Sequence, residues 1–160
     1  NGGSFPLLPG PSRIFVAGSF IGQSALDFVA AGERFELYLG LEERLKVTRD
    51  LDGRNSSTSF LGNNKRLRVA YRLQARSYLK TPAELEIRDQ IPWSQDDRVK
   101  VKLNSSAPKP DDSDKGILTW RLPLAGGEEK AIIFEYQLDY PADVQLGAPT
   151  RELEKQILMK

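Results

Sequence analysis

The sequence contains no cysteine and no histidine among its 160 residues. Without cysteine there is no disulfide, no thiolate nucleophile and no cysteine-bound metal. Without histidine the chain lacks the commonest general base, the commonest transition-metal ligand and the side chain that normally titrates near neutral pH. We therefore predict that the protein is not an enzyme and that it holds no cofactor.

A large charge of one sign and a long apolar run are absent as well. The chain has 23 basic and 22 acidic side chains and a net charge of +1, so no overall field draws it to nucleic acid or to an anionic membrane. Its apolar runs reach only about five residues, whereas a membrane-spanning helix needs about 20. These absences predict no nucleic-acid partner and no direct insertion into a membrane.

What the sequence does have is alternation of apolar and polar residues, the pattern of a half-buried β-strand. In the central example, residues 85–103, two alternating runs flank a polar corner that contains Pro92 and Trp93. We predict a strand, a corner and a second strand there. The longest alternation comes just before it and predicts a core strand, with inward positions at Leu67, Val69, Tyr71, Leu73, Ala75 and Leu79.

Similar patterns predict strands at residues 13–16, 20–26, 33–41, 44–50, 117–122 and 129–140, and polar loops at residues 51–64 and 105–115. No helical period separates the strands. The predicted fold class is therefore all-β, an antiparallel β-sandwich, immunoglobulin-like, with about nine strands. The predicted divisions are an extended N-terminal segment (1–12), the β-sandwich domain (13–147) and a C-terminal tail or short helix (148–160).

An outward-facing basic stripe is the first candidate site, and it consists of Arg66, Arg68, Arg72 and Arg76. A basic sheet face can bind nucleic acid or an acidic polysaccharide. The alternative is an ordinary solvated face, because glutamates alternate on neighbouring predicted strands and can pair with the arginines. No exposed aromatic platform accompanies the stripe, which favours the solvated face.

Aspartates supply two further candidates. Asp89, Asp96 and Asp97 include pairs that resemble the two acids of a glycoside hydrolase, which lie about 5–10 Å apart; the alternative is a role in turns, which Asp favours. Residues 111–114 (Asp-Asp-Ser-Asp) resemble the start of a calcium loop, but an EF-hand would need acidic residues where Gly116 and Pro123 stand. A looser calcium site in this loop is left open.

The two tryptophans lie in different sequence contexts. Trp120 falls within an alternating strand and is predicted to be core. Trp93 lies at the central corner, where it either packs or is exposed to stack on a sugar ring. The candidate binding surface therefore consists of Trp93, Asp96, Arg66, Arg68, Arg72 and Arg76.

Several segments resemble the C-terminal β-rich domain of the mucoidy inhibitor A-like bacterial proteins, a domain family of unknown molecular function. They include Arg88-Asp-Gln-Ile-Pro-Trp-Ser94 and Phe134-Glu-Tyr-Gln-Leu-Asp-Tyr-Pro141, together with residues 7–16, 18–22, 39–47 and 115–120. Trp93 departs from the family pattern, which has a small aliphatic residue at that position. The resemblance implies a β-rich part of a longer bacterial protein, with no established reaction and no catalytic residues to carry over.

These observations favour a non-enzymatic interaction module that binds another protein or another domain of its own chain. Exposed edge strands would mediate this binding by strand addition. The first alternative is a carbohydrate-binding module, assisted by calcium, in which Trp93 contacts a polysaccharide. The second alternative is a hydrolase that uses Asp89, Asp96 or Asp97. The compartment stays open between the bacterial periplasm or cell envelope and the cytoplasm.

Overall fold

The computed structural model describes residues 1–16, 18–37 and 39–159. The chain divides into two compact units, Asn1–Glu43 and Arg44–Lys160. The sequence had predicted boundaries at residues 12 and 147, and that division stays a prediction.

The first unit is built around one antiparallel hairpin, formed by β1 (Gly10–Val16) and β2 (Ser19–Leu26). Gly18 in its turn has a φ of 81°, a conformation that glycine adopts without steric cost. A single bridge joins Leu7 to Val29. The strands predicted at residues 13–16 and 20–26 are confirmed, and Ala17 between them lies outside the described residues.

The strand predicted at residues 33–41 is wrong. Residues 33–37 and 39–41 have no regular secondary structure, and Tyr38 lies outside the described residues. Phe35 and Leu39 are exposed, so the alternation there has no buried face to serve. A period of two forms a strand only where a neighbouring strand accepts its backbone hydrogen bonds.

The second unit contains two antiparallel sheets and a C-terminal helix. Its elements are β3 (Leu45–Leu51), β4 (Ser57–Leu61), β5 (Asn64–Ser77), β6 (Ala83–Gln90), β7 (Lys100–Ala107), β8 (Asp112–Asp114), β9 (Ile117–Leu124), β10 (Glu129–Pro141) and α1 (Ala148–Leu158). The larger sheet has the order β3-β5-β10-β7, with β4 also paired to β5, and the smaller sheet has the order β6-β9-β8. The corner between β6 and β7 therefore carries the chain from one sheet to the other.

The core lies between the inner faces of the two sheets. Trp120 of β9 packs on Phe134 of β10 with ring centroids 5.5 Å apart, and both side chains are fully buried. Alternate residues of β5 and β10 supply the large-sheet side of the core. They lie in register from Leu67 opposite Leu138 to Leu73 opposite Ile132. The all-β class and the antiparallel sandwich are confirmed, and the immunoglobulin-like description stays a prediction.

The described residues hold ten strands where the sequence predicted about nine. Two of them, β4 and β8, lie in segments predicted to be loops. Both segments are rich in Ser, Asn and Asp, residues that favour turns by local hydrogen bonding. β4 and β8 form because β5 and β9 extend far enough to offer them a ladder.

The helix α1 follows β10 after a short connection and has Pro149 in its first turn, where a missing N–H costs nothing. Leu153 and Ile157 lie one turn apart and pack against the core. In the part of the chain that the structure describes, no helix is long and apolar enough to cross a membrane.

Candidate functional site

A pocket of about 510 Å³ lies where the two sheets meet α1. Ligand pockets in proteins usually measure about 300–1,000 Å³ and combine apolar walls with a few polar groups. This pocket has both features and is the candidate site in the second unit. The large sheet lines it with Arg49, Tyr71 and Tyr136, the end of β6 with Gln90, Ile91 and Pro92, and α1 with Pro149, Thr150, Glu152, Leu153 and Gln156.

Arg49 links the two sheets at the wall of this pocket. Its Nε donates a hydrogen bond to Oδ2 of Asp89 over 2.8 Å, and its guanidinium carbon lies 3.5 Å from the centre of the Tyr71 ring. Burial lowers the pKa of Arg49, but hydrogen bonds to Asp89 and Tyr71 outweigh this effect, so the pKa is raised. The guanidinium is therefore charged and held from two sides, which reduces the entropy that a ligand must pay to order it.

Two tyrosine rings form the floor of the pocket. Tyr71 and Tyr136 stack with centroids 6.4 Å apart and an angle of 24° between their planes. Both are buried, and burial raises the pKa of Tyr136. The Tyr136 phenol is therefore neutral at physiological pH, and the floor of the pocket is aromatic.

The helix α1 forms the remaining wall of the pocket. The Tyr140 hydroxyl donates a hydrogen bond to Oε1 of Glu154 over 2.9 Å, and Lys65 Nζ lies 3.5 Å from the same oxygen. Burial, followed by the Glu154 carboxylate, raises the pKa of Tyr140. No residue of α1 is fully buried, and Leu153 and Ile157 pack against the core.

The arginines of the predicted stripe all lie on the outer face of β5. Arg72 faces Asp50 of β3 in the register. The other three arginines contact residues of β10: Arg66 contacts Asp139 at 2.6 Å, Arg68 contacts Gln137 at 3.3 Å and Arg76 contacts Glu129 at 3.5 Å. Such cross-strand pairs are typical of a solvated sheet face.

Trp93 and Asp96 lie on the connection between β6 and β7, a different part of the fold from the arginine stripe. The Trp93 side chain is 52% exposed. Asp96 accepts hydrogen bonds from the side chain and the backbone N–H of Arg98, and these bonds lower the pKa of Asp96. The structure therefore places the six predicted site residues in two groups.

The aspartates of the proposed hydrolase pair have separate partners. Asp89 binds Arg49, and Asp96 binds Arg98. Each of these two carboxylates is thus engaged by its own guanidinium, and Asp97, the third candidate, is exposed.

The loop that resembled a calcium site is engaged with the small sheet. Oδ2 of Asp111 accepts a hydrogen bond from the backbone N–H of Arg121 over 2.6 Å. Asp112 and Asp114 lie in β8 and line a second cavity of about 240 Å³ with Arg88 and Arg121. Over residues 1–16, 18–37 and 39–159, no three carboxylates converge as a metal site requires.

The pocket was not predicted from the sequence, although the sequence contains a signal for it. Arg49 shares the phase of the partly buried Leu45 and Leu51, and Asp89 shares the phase of Ile87 and Ile91. A charged residue at an apolar position of a strand indicates a partner inside the fold. The pairing itself, across 40 residues of sequence, leaves no trace in local spacing.

The first unit carries an exposed apolar surface. The rings of Phe15 and Phe20 meet edge to face with centroids 5.6 Å apart, and each side chain is 57% exposed. Further exposed apolar residues of this unit are Phe5, Leu8, Ile21, Phe28, Phe35, Leu39 and Leu41. In this unit, the buried hydrophobic residues among those described are Ile14 and Val29.

Comparison with known proteins gives a family and a distant relative. The profile of a family described as "Domain of unknown function (DUF4139)" matches residues 9–142. Protein F37C4.5 of Caenorhabditis elegans is 23% identical over 164 aligned residues, which cover 91% of this chain and 29% of that relative. The chain thus spans less than a third of the length of this curated relative. No solved structure matches the chain significantly.

Proposed function

The chain belongs to the DUF4139 family, whose function is unknown, and on that premise we propose that it is a non-enzymatic interaction module that binds another polypeptide. The observation that carries this proposal is the exposed apolar surface of the first unit. A two-stranded hairpin is only marginally stable alone, and exposed apolar side chains that contact one another, as Phe15 and Phe20 do, are typical of interaction sites. The bound polypeptide is another protein or another domain of the same chain.

The aromatic pair on the hairpin is the proposed anchor. Phe15 and Phe20 lie at the turn end of β1 and β2, where the register shifts next to Phe15. Aromatic side chains bury a large area with few rotatable bonds, so they dominate the energetics of many interfaces. Within the described residues β1 and β2 pair only with each other, so their outer edges add backbone donors and acceptors for a partner strand.

Photo-crosslinking in the full-length protein tests this proposal. One variant carries p-benzoylphenylalanine in place of Phe20, and the control carries it in place of Ile133, an exposed apolar residue of β10. We expect discrete polypeptide adducts from position 20, none from position 133, and loss of the adducts when Phe15→Ser is added. No adduct at position 20, or the same adducts at both positions, would overturn the proposal.

We also infer the finer assignments that the sequence suggested. These are an immunoglobulin-like sandwich and a relationship to the mucoidy inhibitor A-like bacterial proteins. The quoted segments around Trp93 and Phe134 support the relationship, and both lie within the residues that the family profile matches.

Trp93 supports carbohydrate binding as a second candidate function. Its half-exposed indole lies on the connection between the sheets, and such a ring can stack on a sugar. The test is a thermal-unfolding scan with neutral and acidic polysaccharides, with calcium or with EDTA, since a ligand of the native state raises the midpoint. We expect any rise to disappear in Trp93→Ala and to persist in the control Phe60→Ala, which removes another exposed ring. No rise with any polysaccharide would remove this candidate.

A further inference from the structure

We propose that the open edge of β3 receives an extended polypeptide segment, which adds to the large sheet as a strand and places one side chain in the pocket floored by Tyr71 and Tyr136. The segment alternates in polarity, with an acidic residue beside Lys46 and a large apolar residue beside Arg49. This proposal goes beyond the hairpin surface, because the site lies wholly in the second unit.

The backbone of β3 is arranged to accept such a strand. Within the described residues, β3 ends the large sheet and pairs with β5 alone. Hydrogen bonds join Arg44 to Tyr78 and Asp52 to Ala70 at the two ends of this pairing. Because alternate residues of an antiparallel strand bond to the same neighbour, the even-numbered residues of β3 bond to β5. The N–H and C=O groups of Leu45, Val47, Arg49 and Leu51 therefore point towards the open edge.

The same positions of β3 direct their side chains towards the pocket side of the sheet. Leu51 lies opposite the pocket residue Tyr71 in the register, and Arg49 itself lines the pocket. Val47 is 46% exposed although it has this inward phase. An added strand thus covers Val47 and brings its own inward side chains next to the pocket wall.

The pocket suits one large apolar side chain. Its floor is the pair of tyrosine rings, and Ile91, Pro92 and Leu153 add apolar wall. In strand addition, main-chain hydrogen bonds supply affinity, and pockets for alternate side chains supply specificity. Arg49 belongs to both features, since its backbone lies on the edge and its side chain on the wall.

Charge complementarity fixes the chemistry of the segment. Lys46 lies opposite Arg76 in the register, and both cations lie near the Tyr78 ring, at 5.9 and 5.0 Å from its centre. Like charges in directly opposed positions repel. Arg76 has Glu129 at 3.5 Å, whereas Lys46 has no carboxylate partner within the described residues. An acidic side chain on the added strand neutralises Lys46.

The first experiment selects peptides against the full chain from a phage-displayed library of random decapeptides. Binding is then compared with Val47→Pro, which removes an N–H that points to the open edge and breaks no bond to β5; edge strands tolerate proline. We expect enriched peptides that alternate acidic and large apolar residues. We expect their affinity to fall at least about tenfold in Val47→Pro, because a strand cannot pair with a proline position. Thr48→Ala, on the same strand, is the matched control and keeps the wild-type affinity.

Two further variants test the side-chain contacts. Lys46→Glu should shift the selected preference from acidic to basic peptides, and Gln156→Trp should fill the pocket and weaken only peptides with a large apolar residue. A thermal midpoint equal to that of the wild type confirms that each variant is folded. Failure to enrich any peptide, or equal binding by wild type, Val47→Pro and Lys46→Glu, would overturn the proposal. Neither outcome affects the crosslink at position 20, so the two proposals fail separately.

Discussion

At the scale of single residues, the molecule depends on a few charges that lie in apolar phases of its strands. Arg49 and Asp89 cross from one sheet to the other, and the Asp89 side chain is only 13% exposed. An exposed ion pair contributes little, but removal of one partner leaves the other partly desolvated and unpaired. The contribution of the Arg49–Asp89 ion pair to stability is therefore best measured by removing one of its partners.

The first prediction concerns Arg49→Leu. We expect this change to lower the free energy of unfolding by about 1–2 kcal/mol, because Asp89 loses its partner while solvent screens part of the effect. Urea denaturation at neutral pH measures it. The control is Arg88→Leu, whose side chain is 70% exposed and bonded to Glu86 of its own strand; it should cost less. Equal costs for the two variants would contradict the structural role of the bridge.

The second prediction concerns the pH dependence of Asp139. Hydrogen bonds from Arg66 hold the pKa of Asp139 below its ordinary value of 3.8. A carboxylate with a lowered pKa stabilises the fold above its unfolded pKa, and this contribution is lost as the pH falls through the folded pKa. The stability difference between wild type and Asp139→Asn should therefore be full at about pH 6 and shrink towards about pH 2.

Urea denaturation at the two pH values measures that difference. Asp97→Asn, which changes an exposed carboxylate, is the matched control. If the difference for Asp139→Asn stays constant between the two pH values, the bond to Arg66 does not hold the carboxyl ionised.

Residue identity and spacing predicted burial better than they predicted partners. Leu67, Val69 and Trp120 were assigned to the core from alternation alone, and all three are buried. The arginines of β5 were assigned to the outer face, where they lie, but their neighbours on β3 and β10 could not be named. Alternation fixes the face of a residue, whereas the partner depends on strand order and register, which need the whole fold.

At the scale of elements, the corner between β6 and β7 is held by the turn between β8 and β9. The N–H of Ile91 donates to the carbonyl of Gly116 over 2.8 Å, and this bond extends the β6–β9 ladder by one pair. Gly116 has a φ of 83°, and a Cβ placed there would lie 2.6 Å from the Ile91 carbonyl oxygen. Only glycine allows this close approach.

The third prediction compares Gly116→Ala with Gly127→Ala. Gly127 also has a positive φ, 76°, but no atom lies within 4 Å of an added Cβ. We expect Gly127→Ala to cost about 1–2 kcal/mol from backbone strain. Gly116→Ala should cost about 1–3 kcal/mol more, because its Cβ overpacks the corner. Urea denaturation gives both values.

A spectroscopic signal accompanies this comparison. The Cβ of Trp93 would lie 3.3 Å from the added carbon at position 116, so the indole of Trp93 should move. We expect a change in native tryptophan fluorescence in Gly116→Ala and none in Gly127→Ala. Equal stability losses without a fluorescence difference would show that the corner relaxes freely.

The sequence predicted strands correctly where the segment pairs along its full length. The predictions were wrong where the presence of a pairing strand decides whether a segment forms a strand. The central strand, corner and strand at residues 85–103 are confirmed by β6 and β7. Residues 33–41 alternate cleanly, but their described parts, residues 33–37 and 39–41, form no strand, while the polar segment of β4 does. The pocket was not predicted from the sequence for the same reason. It is assembled from β3, β5, β6, β10 and α1 by pairings that no local pattern encodes.

At the scale of the whole molecule, the two units differ in how much apolar surface they bury. The second unit has a continuous core that runs through both sheets. In the first unit, Ile14 and Val29 are the buried hydrophobic residues among those described. Since burial of apolar surface is the main favourable term in folding, the first unit should open locally at a much lower free energy than the second.

The fourth prediction is that limited proteolysis of the full chain separates the units. Brief digestion with chymotrypsin should cut first after the exposed Phe28 and Phe35, which lie in irregular backbone. It should leave a resistant product that contains β3 to α1, because the strands of the second unit hide their scissile bonds. Mass spectrometry of the products over time locates the cuts.

Amide exchange on the intact chain should show the slowest amides in β5 and β10, which lie in the interior of the large sheet. Cleavage within β5 or β10 as rapid as that at Phe28 would contradict the assignment of the stable core to the second unit.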